Sequence, residues 1–271
     1  MAGITLLLVP LLGCVLLVLL HTYFGVHVLE RGIIFVDLTL AQFISIGIAF
    51  SLFIGSENLQ LFYAVLFAVV GAFVLSLARD IKKFVYIEAF IGTLYIFSLA
   101  ATMLILDKTP HGLEELKNIL NGNILWISEK DLVETGILYT VIGAFHLIFR
   151  KKFLALSYSS TGENSRIWEF LFFLSFALML VNSIRIAGIL QVFSFLIIPA
   201  LIGKLFTQEV LKILIGGWIT GITASIAGIV VSYKLDVSTA SLIVVFLGAT
   251  FFALLGAKML ETGRKRVKQS G

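Results

Sequence analysis

Asp37, Gln42, Ser45 and Glu88 are polar side chains set inside otherwise apolar runs. The first three belong to the stretch Ile33-Ile34-Phe35-Val36-Asp37-Leu38-Thr39-Leu40-Ala41-Gln42 and its continuation to Ser45; Glu88 stands in Phe84–Gly92. A carboxylate at the centre of a membrane-length helix costs about 2.5–3.5 kcal/mol on insertion scales, and less near an end where it reaches the interface. Two roles fit Asp37: a gate or cation contact on a bundle interior, or an acid that snorkels or caps a helix. Gln42 and Ser45 are three apart and face one way. Asp37 and Gln42 are five apart, about 140° around a helix, so they do not both sit centrally on one narrow stripe. Glu88 matches Asp37 in depth from the same side. The two acids either face one cavity or pair with Lys82, Lys83 or Arg31.

The other reactive side chains form no recognisable catalytic constellation. His21, His27, His111 and His146 have no helical spacing to one another or to an acid that would build a metal cage on one face. Weak, transient coordination remains compatible with a conducting path, which must also release its ion. Arg185 and Asp236 mark outer ends of apolar runs, where a local ion pair is the plain reading. Pro199 removes a backbone hydrogen bond and is expected to kink its helix. Gly217 and Gly221, in a run of small residues, permit close helix approach, for packing or for dimerisation. Cys14 is the single cysteine, so the chain forms no internal disulfide. Leu11-Leu12-Gly13-Cys14 has the look of a lipoprotein box, but apolar sequence continues to Leu20 and reads as a first span. There is no phosphate-binding Gly-x-x-x-x-Gly-Lys-Ser/Thr, no Gly-x-Ser-x-Gly and no His-Glu-x-x-His. The chain is therefore not expected to be an enzyme or to hold a cofactor, and any use of ATP belongs to another chain.

The elements that must position these residues are membrane helices. The 271 residues are 59% hydrophobic and 13% charged, where a soluble domain carries about 25% charged residues. The net charge of +4 comes from bases beside apolar runs, which report topology rather than nucleic-acid binding. A transmembrane helix needs about 20 apolar residues. Candidate spans are Ile4–His21, Ile33–Ile54, Leu59–Ala78, Phe84–Leu106, Leu132–Phe149, Trp168–Ile184, Ile186–Leu205, Leu211–Tyr233 and Ser238–Leu260. The sixth and seventh would meet in a tight turn at Arg185. Placing Arg79, Lys82 and Lys83 in the cytoplasm puts Arg31, Arg150 to Lys152, Arg166, Lys204, Lys212 and the Arg264–Arg266 tail on that side too. Glu57, Asp107, Glu114, Glu115, Glu129, Asp131 and Asp236 then lie outside, as the positive-inside rule requires. The sequence thus predicts an all-α, polytopic, single-domain bundle over residues 1–271. It has about nine transmembrane helices, eight being the alternative count, with the N-terminus out and the C-terminus in. The one long outer segment, Asp107–Asp131, carries a short amphipathic helix over Leu113–Leu120.

Three blocks together resemble the integral membrane permeases of ABC-type zinc and manganese importers. They are Gly32 to Gly47 with Asp37 and Gln42, Arg185 to Ala200 with Gly188 and Pro199, and Gly228 to Ser238 with Ser232 and Asp236. Glu88–Gly92 and Leu120–Trp126 support them, and the likeness spans nearly the full length. The resemblance implies a homodimer forming the pore of an ATP-driven importer of zinc, manganese or iron in a bacterial inner membrane. It further implies a cytoplasmic ATP-binding subunit and an extracytoplasmic metal-binding protein as partners, with Asp37, Gln42, Ser45 and Glu88 lining the path. The segment holding Ser157, Gly162, Glu163 and Arg166 would dock the ATPase. Two departures stand out. Gln42 occupies a position where many members carry a histidine four residues after an aspartate, while here the acid is shifted by one. The Ser157–Arg166 segment is shorter and more polar than the usual acidic stretch. An ion-gradient-driven secondary transporter, or a membrane scaffold that transports nothing, are the competing readings from the residues alone. The absence of an evident inverted repeat weighs against the former.

Overall fold

A computed structural model describes residues 2–158 and 166–269. Its helices are α1 (Ala2–Arg31), α2 (Val36–Phe53), α3 (Gln60–Ser76), α4 (Ala78–Ile81), α5 (Ile87–Leu106), α6 (Gly112–Asn121), α7 (Glu129–Ile148), α8 (Arg150–Tyr158), α9 (Arg166–Phe206), α10 (Val210–Leu235) and α11 (Thr239–Gln269). No strand occurs among the described residues. Eight of the helices are long and apolar enough to cross a membrane.

The longest, α9, makes two crossings. Its 41 residues contain one non-helical residue, Gly188, at φ 73° and ψ 164°. Glu169 pairs with Arg31, while Lys204 Nζ lies 2.6 Å from Glu30 Oε1. In a straight helix residues 169 and 204 would stand roughly 50 Å apart, too far to reach adjacent residues of α1. Two further contacts agree. Phe176 stacks on Phe24 with ring centroids 4.8 Å apart, and Leu196 and Ala200 press against Gly25. The chain therefore doubles back at Gly188, and the described residues run the length of the bundle nine times. The break falls at Gly188 and not at the expected Arg185, because only a residue without Cβ fits there. An added Cβ would lie 2.3 Å from the backbone nitrogen of Gly122, itself at φ 57°. Pro199, where a kink was expected, keeps helical dihedrals and is buried in the second limb.

Other boundaries also differ from the sequence reading. α1 continues ten residues past His21, to Arg31, because His21, Thr22 and His27 are buried against neighbouring helices rather than left in a loop. Ser157 lies in helix α8 and Arg166 opens α9, while Gly162 and Glu163 lie outside the described residues. α6 forms over Gly112–Asn121 and buries Ile119 against the bundle, with Leu113 left exposed. α7 starts at a capping box. Ser128 Oγ accepts from the Asp131 amide at 3.1 Å, and Asp131 Oδ2 accepts from the Ser128 amide at 3.3 Å.

α1, α2 and the two limbs of α9 form the centre, and α5, α7 and α11 are the least buried spans. Backbones come close at small residues. Gly217 meets Thr22 and the Pro199 carbonyl, Gly221 meets Val18, and Gly228 meets Ile243. Gly217, Gly221 and Gly228 of α10 are thus spent on packing within the chain. Replacing Gly188 by alanine should force both the strained dihedral and the clash with Gly122. We expect a melting temperature in detergent lower by several degrees, whereas Gly143→Ala, with no neighbouring atom within 4 Å of the new methyl, should leave it unchanged. Equal melting curves for the two variants would contradict this account of the turn.

Candidate functional site

α2 carries the polar residues singled out in the sequence. It begins at Val36, so Asp37 sits in its first turn, where the helix dipole favours a negative charge, and not five residues inside the span. Asp37 is 1% exposed, and Gln42 and Ser45 are buried beside it along the helix. Asp37 Oδ2 and Gln42 Oε1 have no hydrogen-bond partner. Ser45 is satisfied locally, its hydroxyl donating to the Ala41 carbonyl at 2.8 Å. None of the three faces lipid.

α5 lies alongside and runs in the same direction as α2. Glu88 Oε1 accepts from the Phe35 amide at 3.1 Å, and Thr39 Oγ1 donates to the Ile91 carbonyl at 3.0 Å. Glu88 therefore caps the start of α2. Among the described residues it forms no ion pair with Lys82, Lys83 or Arg31, and Arg31 turns instead to Glu169. Ser98, further along α5, is fully buried with its hydroxyl unpartnered. Unpartnered polar oxygens thus lie on α2 and α5, with others at Thr22 on α1 and Gln191 on α9.

The histidines are differently placed. His146 Nδ1 is 3.1 Å from Tyr23 Oη and its Nε2 is 2.7 Å from Ser175 Oγ, while its ring stacks on Phe153 at 4.0 Å. His27 Nδ1 is 2.7 Å from Ser157 Oγ, and His21 Nδ1 is 2.7 Å from the Leu17 carbonyl. These rings knit α1, α7, α8 and α9 together. Among the described residues no three His, Cys, Asp or Glu side chains gather as a metal cage.

The two ends of the bundle differ. At the basic end a cavity of about 240 Å³ is lined by Glu30, Arg31, Lys82, Ser157 and Glu169. The Arg31 guanidinium lies 4.9 and 5.0 Å from the Phe172 and Phe173 rings. Tyr158 lies on α8 beside Glu30; burial, and then the Glu30 carboxylate, push its hydroxyl up to about 12. Arg166 pairs with Asp80 at 3.0 Å. At the opposite end a cavity of about 300 Å³ is lined by Glu57, Gln60, Glu115, Asn118 and Arg185. Arg185 pairs with Asp131 at 3.1 Å and Glu134 at 3.6 Å, and Asp236 is the left-handed residue that closes α10. Glu30, Glu169 and Lys204 were not picked out from the sequence. The signal was there, since each is a charge at the edge of an apolar run, but which charge meets which depends on the fold of α9.

Residues 4–258 match the model of the ABC 3 transport family. The chain is 29% identical over 176 residues to the manganese transport system membrane protein MntB of Synechocystis, covering 63% of this chain and 57% of that protein. It is 23% identical over 236 residues to the manganese import system permease protein ScaB of Streptococcus parasanguinis, covering 85% and 82%. Several curated relatives are matched over little more than half of their length. Among solved structures it is similar to PsaBC from Streptococcus pneumoniae in complex with Fab, with a TM-score of 0.75, 21% identity and coverage of 92% and 90%. At that identity the likeness concerns the fold.

Glu88→Ala should release the Phe35 amide and lower the melting temperature by a few degrees, the usual consequence of losing a helix cap. Glu88→Gln keeps an acceptor and should melt like the parent. A Gln variant as unstable as the Ala variant would remove the capping role.

Proposed function

The chain belongs to the ABC 3 transport family, and we propose that it is the membrane-spanning permease subunit of an ATP-driven importer of divalent metal ions. It is a multi-span bacterial membrane protein. The reading is carried by one observation: a full-length family match coincides with a bundle whose central helix α2 holds a buried carboxylate and a buried amide with unpartnered oxygens. Relatives named for manganese support manganese as cargo, with iron and zinc as the other ions of the class.

In this reading two copies of the chain form the path, and the basic end faces the cytoplasm. An ATP-binding subunit docks there, against the part of the chain that includes Ser157, Gly162, Glu163 and Arg166. An extracytoplasmic metal-binding protein delivers the ion to the opposite end, where Glu57, Glu115 and Arg185 surround the larger cavity. ATP hydrolysis takes place in the partner, and this chain contributes no catalytic residue. Asp37, Gln42 and Ser45 offer a carboxylate, an amide carbonyl and a hydroxyl. Oxygen donors of this kind suit hard divalent ions, and few of them bind weakly enough to let the ion leave. Glu88 acts beside them by fixing the start of α2. The helices open alternately to each side around that point.

Uptake of radiolabelled manganese, iron and zinc into cells lacking the gene and cells carrying it tests the assignment. We expect ATP-dependent uptake of at least one of these ions. Asp37→Asn and Gln42→Leu should lower it by about tenfold or more at equal membrane abundance, the range of one lost charged or polar contact. Full uptake by both variants would take the path away from α2, and no uptake of any divalent ion by the parent would remove the transport assignment.

A further inference from the structure

Glu30 and Arg31 are neighbours in the last turn of α1 and carry opposite charges. Each holds a different limb of the α9 hairpin. Arg31 pairs with Glu169 at the start of the first limb, and Glu30 pairs with Lys204 at the end of the second, at 2.6 Å. The same turn of α1 also holds α8. His27 Nδ1 lies 2.7 Å from Ser157 Oγ, and the Tyr158 hydroxyl lies beside the Glu30 carboxylate. Three further segments, α8 and the two limbs of α9, therefore meet at one turn of α1.

We propose that this turn of α1 is a coupling node that delivers displacement of α8 to both limbs of α9 together. The inference rests on the reading of the chain as an ATP-driven permease whose basic end meets the ATPase. Among the described residues, the node differs from the other charge pairs in its shielding. The side chains of Arg31 and Glu169 are 11% and 4% exposed, and those of Glu30 and Lys204 are 23% and 22% exposed. The Lys212–Glu209 and Lys108–Asp107 pairs are mostly in solvent. Solvent-exposed pairs are screened and easily exchanged for water, whereas separating shielded charges leaves each one poorly solvated. Helices joined by shielded pairs shift as a unit more readily than they part. Arg31 is held further by the Phe172 and Phe173 faces. The cavity of about 240 Å³ beside the node leaves room for such a shift without collision. Glu30 and Arg31 are positioning residues here, since neither is placed on the path.

The experiment uses the permease assembled with its ATP-binding subunit and metal-binding protein in vesicles. ATP hydrolysis and radiolabelled manganese uptake are read from the same preparation. Lys204→Glu places two carboxylates together and should lower uptake per ATP by about tenfold, the scale of a typical coupling energy, with hydrolysis changed by less than about threefold. The exchanged pair Glu30→Lys with Lys204→Glu should return uptake per ATP to within about threefold of the parent. Lys204→Met, which removes the charge without repulsion, covers the case in which Lys204→Glu fails to assemble, and should show the same loss in weaker form. Hydrolysis, uptake and melting temperature falling in parallel would reduce the node to a structural clamp and overturn the proposal. So would unchanged uptake per ATP in the single variants, or no recovery in the exchanged pair. A parent complex that hydrolyses ATP but moves no manganese, iron or zinc would count first against the transport reading, and would overturn the node with it.

Discussion

Charge among apolar helices must find charge, and in this chain that constraint acts most strongly at the end of α1. Glu30 and Arg31 could not both be left inside a basic rim next to lipid without partners. They are satisfied only because α9 folds back and brings Glu169 and Lys204, far apart in sequence, to the same level. The order of signs matters. An acid and a base in adjacent positions project in different directions from the helix, about 100° apart, so each addresses a separate limb. A pair of like charges in the same places would repel one limb while holding the other. The architecture at this end is thus fixed by electrostatics, while between the ends close glycine contacts set the register. Lipid supplies no hydrophobic force to bring helices together, so contact shape and polar pairs must do it.

At the other end of the hairpin the constraint is steric. Gly188 and Gly122 meet backbone to backbone, each in a left-handed conformation, and neither leaves room for a Cβ. The Asn123 amide donates to the Ile186 carbonyl at 3.3 Å, which uses one of the backbone acceptors that the turn would otherwise orphan. The segment after α6 therefore seals the turn of α9. The amphipathic character of α6 follows from that position: Ile119 enters the bundle and the acidic residues Glu114 and Glu115 stay at the rim. Close approaches at Gly25 to Leu196 and at Gly203 to Ile213 then hold the second limb against α1 and α10.

The class of fold was legible because it rests on composition and length, and lipid enforces both. Nine apolar runs with alternating charge bias left little else for the chain to be. The turn between the sixth and seventh runs was also legible in outline. Its location was displaced to Arg185 because a charged residue looks like a loop, whereas the actual break is set by the backbone freedom of Gly188 and by the fit of Gly122 against it. The end of α1 was missed for a related reason. His21, Thr22 and His27 interrupt hydropathy, but they are polar groups satisfied by or buried against other helices, and such tertiary partners have no trace in a local window. Asp37, Gln42 and Ser45 were legible as buried polar residues. The part of Glu88 was not, because a side chain that caps a helix fifty residues away reads locally as one more acid near a basic loop.

The distribution of satisfied and unsatisfied polar groups separates structure from function better than polarity itself. His27 and His146 are buried and would look functional in a list, yet their hydrogen bonds go to Ser157, Tyr23 and Ser175, and they serve to join helices. Gln191, His21 and Thr22 each keep one unpartnered polar atom in the wall between α1, α9 and α10, but these are neutral or can be. Among the described residues Asp37, in the first turn of α2, is a fully buried carboxylate with an unpartnered oxygen and no ion pair, and a carboxylate is the costliest group to leave so. A fold that solves the charges at the end of α1 with such economy of residues had the means to solve Asp37 as well. That it has not done so is the physical support for the proposed path beside α2 and not beside the histidines of α1 and α7.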